Sequence, residues 1–391
     1  MTWRASCPMD ERMNFMAEIE RGVRSVSEIC RLFGVSRKTG YKWIGRFEQD
    51  GAEGLKARSR AALVHPNAVD TQLVGMLLAT RRRHDDWGPQ KLLAYLGARH
   101  PQRHWPAIST VAQLLNRHGL IKARKPRSRS APYSAPFVRA NAPNALWSAD
   151  FKGQFRTGDG HYCYPLTISD GFSRYLISCR GLLHPSQALT QPWFERAFRD
   201  FGLPAVIRTD NGAPFASTGV GGLSKLSIWW LKLGIVPERI RLGHPEQNGR
   251  HERMHRTLKR RCAVKTHLHA QQRAFNRFRV EYNQERPHRA LNDRTPAMLY
   301  QPSNRELPGK VPRFGYPNDC AVRRVHPNGE ITWHTQPYYL GQVLAGEDVG
   351  LYPIADGRWR ILVGTLAVAE LDLRAQTIVS IDVHIDVPTL H

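Results

Sequence analysis

The sequence predicts a multidomain chain. All-α helix-turn-helix units come first, then a central α/β core with a mixed sheet, then a small β-barrel. Three observations carry this reading. At 391 residues the chain exceeds one ordinary domain. The apolar pattern changes from helical spacing to short alternating runs near residue 144, and becomes hairpin-rich from about 310. Between the first two regimes lies a basic stretch rich in Pro and Ser, the expected form of a linker. The resulting division is 1–60 and 61–121 for two helical units, 122–143 for the linker, 144–305 for the core and 306–391 for the β-rich domain.

Charge narrows the function classes. Fifty-seven Lys and Arg against 33 Asp and Glu give a net charge of +24 and a pI near 10.3. Such a field attracts polyanions, because each neutralised phosphate releases condensed counterions. The distribution excludes a surface tuned only for solubility, which would mix its signs. Between Asp86 and Asp150, 63 residues contain no Asp or Glu and ten Lys or Arg. Double-stranded DNA is the expected partner. No run of eighteen apolar residues and no leader-like start occurs, so a soluble, cytoplasmic protein without membrane contact is expected. The six cysteines form no C-x-x-C pair, which fits reduced thiols.

Residues 10–50 read as three short helices. Met13, Met16 and Ile19 fall at helical spacing on the first. The second starts at Ser27 as N-cap, followed by Glu28, with Ile29, Leu32 and Phe33 on one face. Gly34 breaks it, and Ser36 caps a third helix with Tyr41, Ile44 and Phe47 inward. Arg37, Lys38, Lys42 and Arg46 point outward, so "SVSEICRLFGVSRKTGYKWIGRF" reads as a helix-turn-helix whose second helix enters the major groove. A second unit over 67–120 carries Val69, Leu73, Met76 and Leu77 on one helix, then "PQKLLAYL" and "ISTVAQLLNRHG". In the linker, Arg124, Lys125, Arg127 and Arg129 are positioned to track a phosphate backbone.

The core begins with "LWSADFKGQF" as a strand, Asp150 at its middle. "YCYPLTISDGFSRYLISCRGL" is a hairpin turning at Asp170-Gly171, where Asp170 reads as a turn residue. A helix over 186–201, the strand "AVIRTDNG" ending at Asp210, and the helix "LSKLSIWWLKLG" follow. An unpaired charge in the apolar surroundings of Asp150 is costly, which marks it as functional or edge-exposed. Asp210 sits at a strand end, a common place for a site, although Asp-Asn-Gly also favours turns.

"HPEQNGRHERMHR" (244–256) has two readings. His251-Glu252-x-x-His255 matches the H-E-x-x-H zinc-hydrolase pattern. The same letters also describe a helix presenting one glutamate to magnesium amid basic neighbours.

"WSADFKG", "TISDGFSRYLISC", "IRTDNGAPFAS", "GHPEQNGRHERMHRTLK" and "YNQERPHRALNDRTPAMLY" resemble, in this order, bacterial insertion-sequence transposases. Those carry an N-terminal helix-turn-helix and a core of the retroviral-integrase type, a ribonuclease-H-like fold. The resemblance implies an Asp-Asp-Glu triad of Asp150, Asp210 and a glutamate, holding two Mg2+ ions that Mn2+ can replace. It implies DNA cleavage and 3′-end joining without a covalent enzyme intermediate, on terminal inverted repeats and target DNA, by a homo-oligomer. Carboxylates suit a hard ion such as magnesium. A transposase-derived regulator without activity is the alternative.

Thirty-five residues separate Asp210 from Glu246, the retroviral spacing, and forty-one separate it from Glu252. Motif context selects Glu252, the six extra residues fitting an insertion in "STGVGGLS", since surface-loop insertions cost little. Glu246 instead suits a helix start. On a helix, Glu252, His255, Arg256 and Lys259 share one face, a carboxylate beside DNA-contacting groups. The surrounding arginines make the stretch too polar for a zinc-hydrolase helix, which also needs a third ligand. At the C-terminal end, Asn328-Gly329 and Asp356-Gly357 signal hairpins of the small barrel, an accessory DNA-binding or assembly domain by the resemblance.

Overall fold

The computed structural model of the chain describes residues 8–57, 68–121, 140–240 and 249–381. The chain divides into two compact units, Met1–Val69 and Asp70–His391.

The first unit is three helices, α1 (Pro8–Arg21), α2 (Val26–Leu32) and α3 (Arg37–Gly54). Its core is Phe15, Met16, Ile29, Cys30 and Leu55. The N-cap of α2 is Ser25 rather than Ser27: Glu28 at the third helical position accepts from the Ser25 backbone N–H, which completes a capping box. Ser36 caps α3, its hydroxyl accepting from the Thr39 N–H. α2 and α3 approach so closely at Gly40 that an added Cβ would lie 2.4 Å from the Cys30 sulfur. Tyr41 and Leu32, expected inside, are each 60% exposed, while Cys30 and Gly40 take the inward positions. Arg37, Lys38 and Lys42 are exposed. Arg46 is half-buried, its guanidinium 5.1 Å from the Trp43 ring centre.

The second unit opens with α4 (Thr71–Arg83), α5 (Pro89–Arg99) and α6 (Ile108–Arg117), packed around Leu77, Trp87, Leu92, Leu96 and Val111. Asp70 caps α4 through the Gln72 N–H, and Pro89 starts α5, where its missing N–H costs nothing. This helical layer is pinned to the rest of the unit by polar contacts. Arg286 pairs with Asp86 at 2.8 Å, Gln90 donates to Asp293, and buried His84 meets Glu281 at 3.1 Å.

A six-stranded mixed sheet follows. β1 (Leu146–Phe151) pairs antiparallel with β3 (Tyr162–Asp170) and parallel with β5 (Val206–Thr209). β2 (Phe155–Arg156) and β4 (Leu176–Leu182) both pair with β3, and β6 (Val236–Arg239) lies parallel to β5. One face is covered by α7 (Gln187–Phe201) and α8 (Lys225–Lys232), which bury Phe194, Phe198 and Trp230 against Trp147, Ala149, Leu166 and Ile168. On the other side, α9 (Gly249–Arg261) and α10 (Leu268–Val280) pack Met254, Leu258 and Phe275 onto Cys163, Leu176 and Cys179. Side chains alternate along a strand, so Asp150 and Thr167 stand on the face opposite Ala149 and Ile168, the face that meets α9. Asp170 is buried as the clamp of the β3–β4 turn, accepting from the N–H groups of Asn144 and Ser173 and from the Ser173 hydroxyl.

The C-terminal strands correct an expectation. β7 (Ala321–Arg324), β10 (Asp348–Ala355), β11 (Arg358–Val363), β12 (Leu366–Asp372) and β13 (Thr377–Ser380) form an open antiparallel sheet, ordered β13-β12-β11-β10-β7. β8 (Glu330–Trp333) and β9 (Gln336–Tyr339) form a separate hairpin. The strand pairing is open, in place of the expected closed small barrel. The hairpin turn is His334-Thr335, both at positive φ, and not Asn328-Gly329, which lies between strands of different sheets. Asp356-Gly357 does turn β10 into β11. Ile331, Trp333 and Tyr338 of the hairpin share a core with Val349, Ile361 and Val368 of the sheet, and with Ile228 of α8. Among the described residues no helix is long and apolar enough to cross a membrane.

Candidate active site

Three elements meet at one end of the mixed sheet. β1 delivers Asp150 near its C-terminal end. The parallel β1–β5 register pairs Leu146 with Val206, Trp147 with Ile207 and Ser148 with Arg208; the same offset sets Asp210, just past β5, level with Asp150. β5 ends there because Asn211-Gly212 turns the chain, and the Gly212 N–H donates to the Asp210 carboxylate. α9 supplies Glu252 in its first turn, where a carboxylate complements the helix dipole.

The electrostatics tie the three together. Burial pushes the Asp150 carboxyl up to about 7, and repulsion from Asp210 and then Glu252 adds to it; the Phe151 N–H and Lys152 oppose. Burial raises Asp210 as well. A buried carboxyl repelled by its neighbours, as Asp150 is, needs a proton or a cation. An all-oxygen donor set of this kind fits a hard divalent ion.

Behind the carboxylates lies a polar network that the sequence did not announce. The buried face of α9 is His251, Met254, His255 and Leu258. The Thr167 hydroxyl donates to the Asp150 carbonyl at 3.0 Å. It also lies 2.7 Å from His251 Nε2 and 2.6 Å from His255 Nε2. Ser169 Oγ is 2.9 Å from His251 Nδ1. His255 is therefore an interior residue, 5% exposed, and the expectation of a DNA-facing histidine is corrected: the face it shares is that of Leu258. Burial drives both imidazoles far down, His251 to about 3 and His255 to about 2, so both are neutral. Glu252, Arg256 and Lys259 do share an exposed face.

The same geometry bears on the zinc pattern. Asp150, His251 and His255 offer donor atoms within 4.8 Å of one another. Yet both nitrogens of His251 are engaged, by Thr167 and Ser169, and the Thr167 hydroxyl sits between the two rings. Two histidines converging on one ion is not the arrangement these contacts describe. Arg124, Lys125, Arg127, Arg129 and Glu246 lie outside the described residues.

Sequence comparison agrees with this architecture. Integrase core domain models match residues 140–245 and 233–296, a helix-turn-helix domain matches 11–62, and a homeodomain-like domain matches 39–115. The C-terminal domain of the IS481 family of transposases matches 320–379. The chain is 30% identical over 164 residues to the insertion element IS407 uncharacterized 31.7 kDa protein of Burkholderia multivorans, a span of 40% of this chain and 55% of that protein. It is 32% identical over 122 residues to the Pol polyprotein of Radiation murine leukemia virus, 31% of this chain and 20% of that one. The chain thus spans about half the length of the first of these curated relatives and a fifth of the second. Among solved structures, the HTLV-2 integrase catalytic core domain in complex with magnesium aligns at 18% identity and a TM-score of 0.34, covering 42% of this chain and all of that one. The simian T-cell lymphotropic virus intasome aligns at 16% and 0.35, over 74% and 96%.

Proposed function

We propose that this chain, which carries the helix-turn-helix, integrase core and C-terminal domains of a bacterial insertion-sequence transposase, is an active DNA transposase. It binds the terminal inverted repeats of its element, cleaves phosphodiester bonds there and joins the 3′ ends to target DNA. The observation that carries the reading is the β1–β5 register that sets Asp210 level with Asp150, with the first turn of α9 bringing Glu252 near enough for its charge to reach Asp150.

In this reading Asp150, on the central strand, Asp210 and Glu252 would hold two magnesium ions. Bound ions of this kind make water or a 3′-hydroxyl nucleophilic and stabilise the leaving oxygen at phosphorus. The chain's own part is positional. β1 and β5 hold two carboxylates level, and α9 brings the third while presenting Arg256 and Lys259 outward, where they hold the strand by its phosphates. Arg37, Lys38, Lys42 and Arg46 of α3 read the repeat in the major groove. The linker residues Arg124, Lys125, Arg127 and Arg129 add phosphate contacts. A homo-oligomer on DNA, acting in the bacterial cytoplasm, is the working form.

The test is incubation of purified protein with labelled repeat-end DNA, target duplex and magnesium, scored for 3′-end nicking and strand transfer. Nicked and joined products support the reading. Tight repeat binding without either product, across magnesium and manganese, would leave a DNA-binding regulator in its place.

A further inference from the structure

Hydrogen-bond arithmetic around Thr167 fixes the state of His255. A threonine hydroxyl has one proton and two lone pairs. The proton goes to the Asp150 carbonyl. Both lone pairs must then accept, so His251 and His255 each carry their proton on Nε2. Ser169 donates to the remaining nitrogen of His251. For His255 the remaining nitrogen, Nδ1, is an unprotonated lone pair, and it stands 3.7 Å from Asp150 Oδ2. No donor among the described residues meets that lone pair. A lone pair beside a carboxylate oxygen is repulsive unless something positive lies between them, and this nitrogen is not sealed from solvent, so a cation can reach it. Two donors cis on one ion with ~2.1 Å bonds stand about 3.0 Å apart, so a closure of less than about 1 Å makes the pair a chelate.

We propose that His255 Nδ1 is a ligand of the divalent cation held by Asp150. The proposal rests on the assignment of Asp150 to the cation site and adds a nitrogen donor to it. Imidazole favours transition ions, whereas magnesium keeps to oxygen. The site therefore selects manganese over magnesium more strongly than a carboxylate triad does. His251 does not take part, since both of its nitrogens are engaged. Its task is to hold Thr167, which in turn locks His255 in the tautomer that leaves Nδ1 bare.

The experiment uses the full chain without DNA and one equivalent of Mn2+, read by electron spin echo envelope modulation. Modulation from a directly bound 14N should appear and should change to the 15N pattern when histidine is isotopically labelled. It should vanish in His255→Gln, and in His255→Asn as a second substitution should the first not fold. Mn2+ affinity should fall in the variant by at least about tenfold, and Mg2+ affinity by less. Wild-type protein that binds Mn2+ with no nitrogen modulation, or modulation that persists in folded His255→Gln, overturns the proposal and leaves the carboxylate site standing. Mn2+ binding that is indifferent to Asp150→Asn would overturn the carboxylate site itself.

Discussion

Asp150 on β1 and Asp210, just past the end of the neighbouring parallel strand β5, stand level, and neither is satisfied by an arginine or lysine ion pair among the described residues. A carboxyl held up near 7 binds its proton more tightly folded than unfolded. In metal-free protein its contribution to stability is greatest below the unfolded value of 3.8 and is lost as pH rises through about 7. A cation must displace that proton below 7 and finds a bare carboxylate above it. Magnesium should therefore raise Tm more at pH 8 than at pH 5.5, and Asp150→Asn should flatten the difference. Differential scanning fluorimetry at the two pH values checks this; equal shifts at both would contradict it.

Thr167 serves three partners with one hydroxyl. Thr167→Val keeps the shape and leaves two buried imidazole N–H groups and a carbonyl without it. Each such orphan costs about 1–3 kcal/mol, so the substitution should lower stability by more than a lone hydrogen bond would. Thr167→Ser should recover most of the loss. Urea denaturation of both variants compares them directly, and equal stability of valine and threonine forms would sink the network.

Much of this site was open to sequence reading, and the network was not, for a physical reason. Asp150 and Asp210 betray themselves as charges in or beside apolar strands. Thr167 looks like an ordinary strand residue, because threonine favours strands anyway. Only the β1–β3 register, which pairs Thr167 with Asp150, gives it a role. His255 reads as an outward residue in the sequence because α9 is so polar that its buried stripe is half histidine. β6 went unseen since Val-Pro-Glu-Arg has no apolar alternation; its Glu238 is buried against Arg208 instead. The β8–β9 turn escaped because His334-Thr335 lacks the Asn or Gly that positive φ usually recruits. The Ser25 capping box, with glutamate three residues on, is legible in the sequence, although Ser27 beside Glu28 competes with it as a cap.

The Arg286–Asp86 pair joins the α4–α6 layer to the end of the integrase core, with side chains only 10% and 6% exposed. Removing one partner strands the other charge. Asp86→Ala should cost about 3–5 kcal/mol, and Asp86→Leu with Arg286→Met should restore a good part of it. Chemical denaturation settles the comparison, and a single variant no less stable than wild type would contradict the burial argument.

DNA affinity should separate into two kinds of contact. Replacing Lys38 and Lys42 by alanine should erode preference for the terminal repeat. Replacing Arg256 and Lys259 should weaken binding to all sequences and shallow the salt dependence by about 0.9 per lost phosphate contact. Anisotropy titrations over a salt series on repeat and random duplexes distinguish them. An unchanged salt slope for the Arg256 and Lys259 variants would remove α9 from the DNA interface.

The central claim is that Glu252, and not Glu246, completes the site begun by Asp150 and Asp210. The most direct measurement is a strand-transfer assay on Glu252→Gln and Glu246→Gln side by side under magnesium, with repeat binding followed in the same samples. Glu252→Gln should lose cleavage and joining while binding DNA at least as well as wild type, because one fewer carboxylate opposes the phosphates. Glu246→Gln should stay active, since its motif context gives Glu246 no part in the site. An active Glu252→Gln beside an inactive, folded Glu246→Gln would contradict the account.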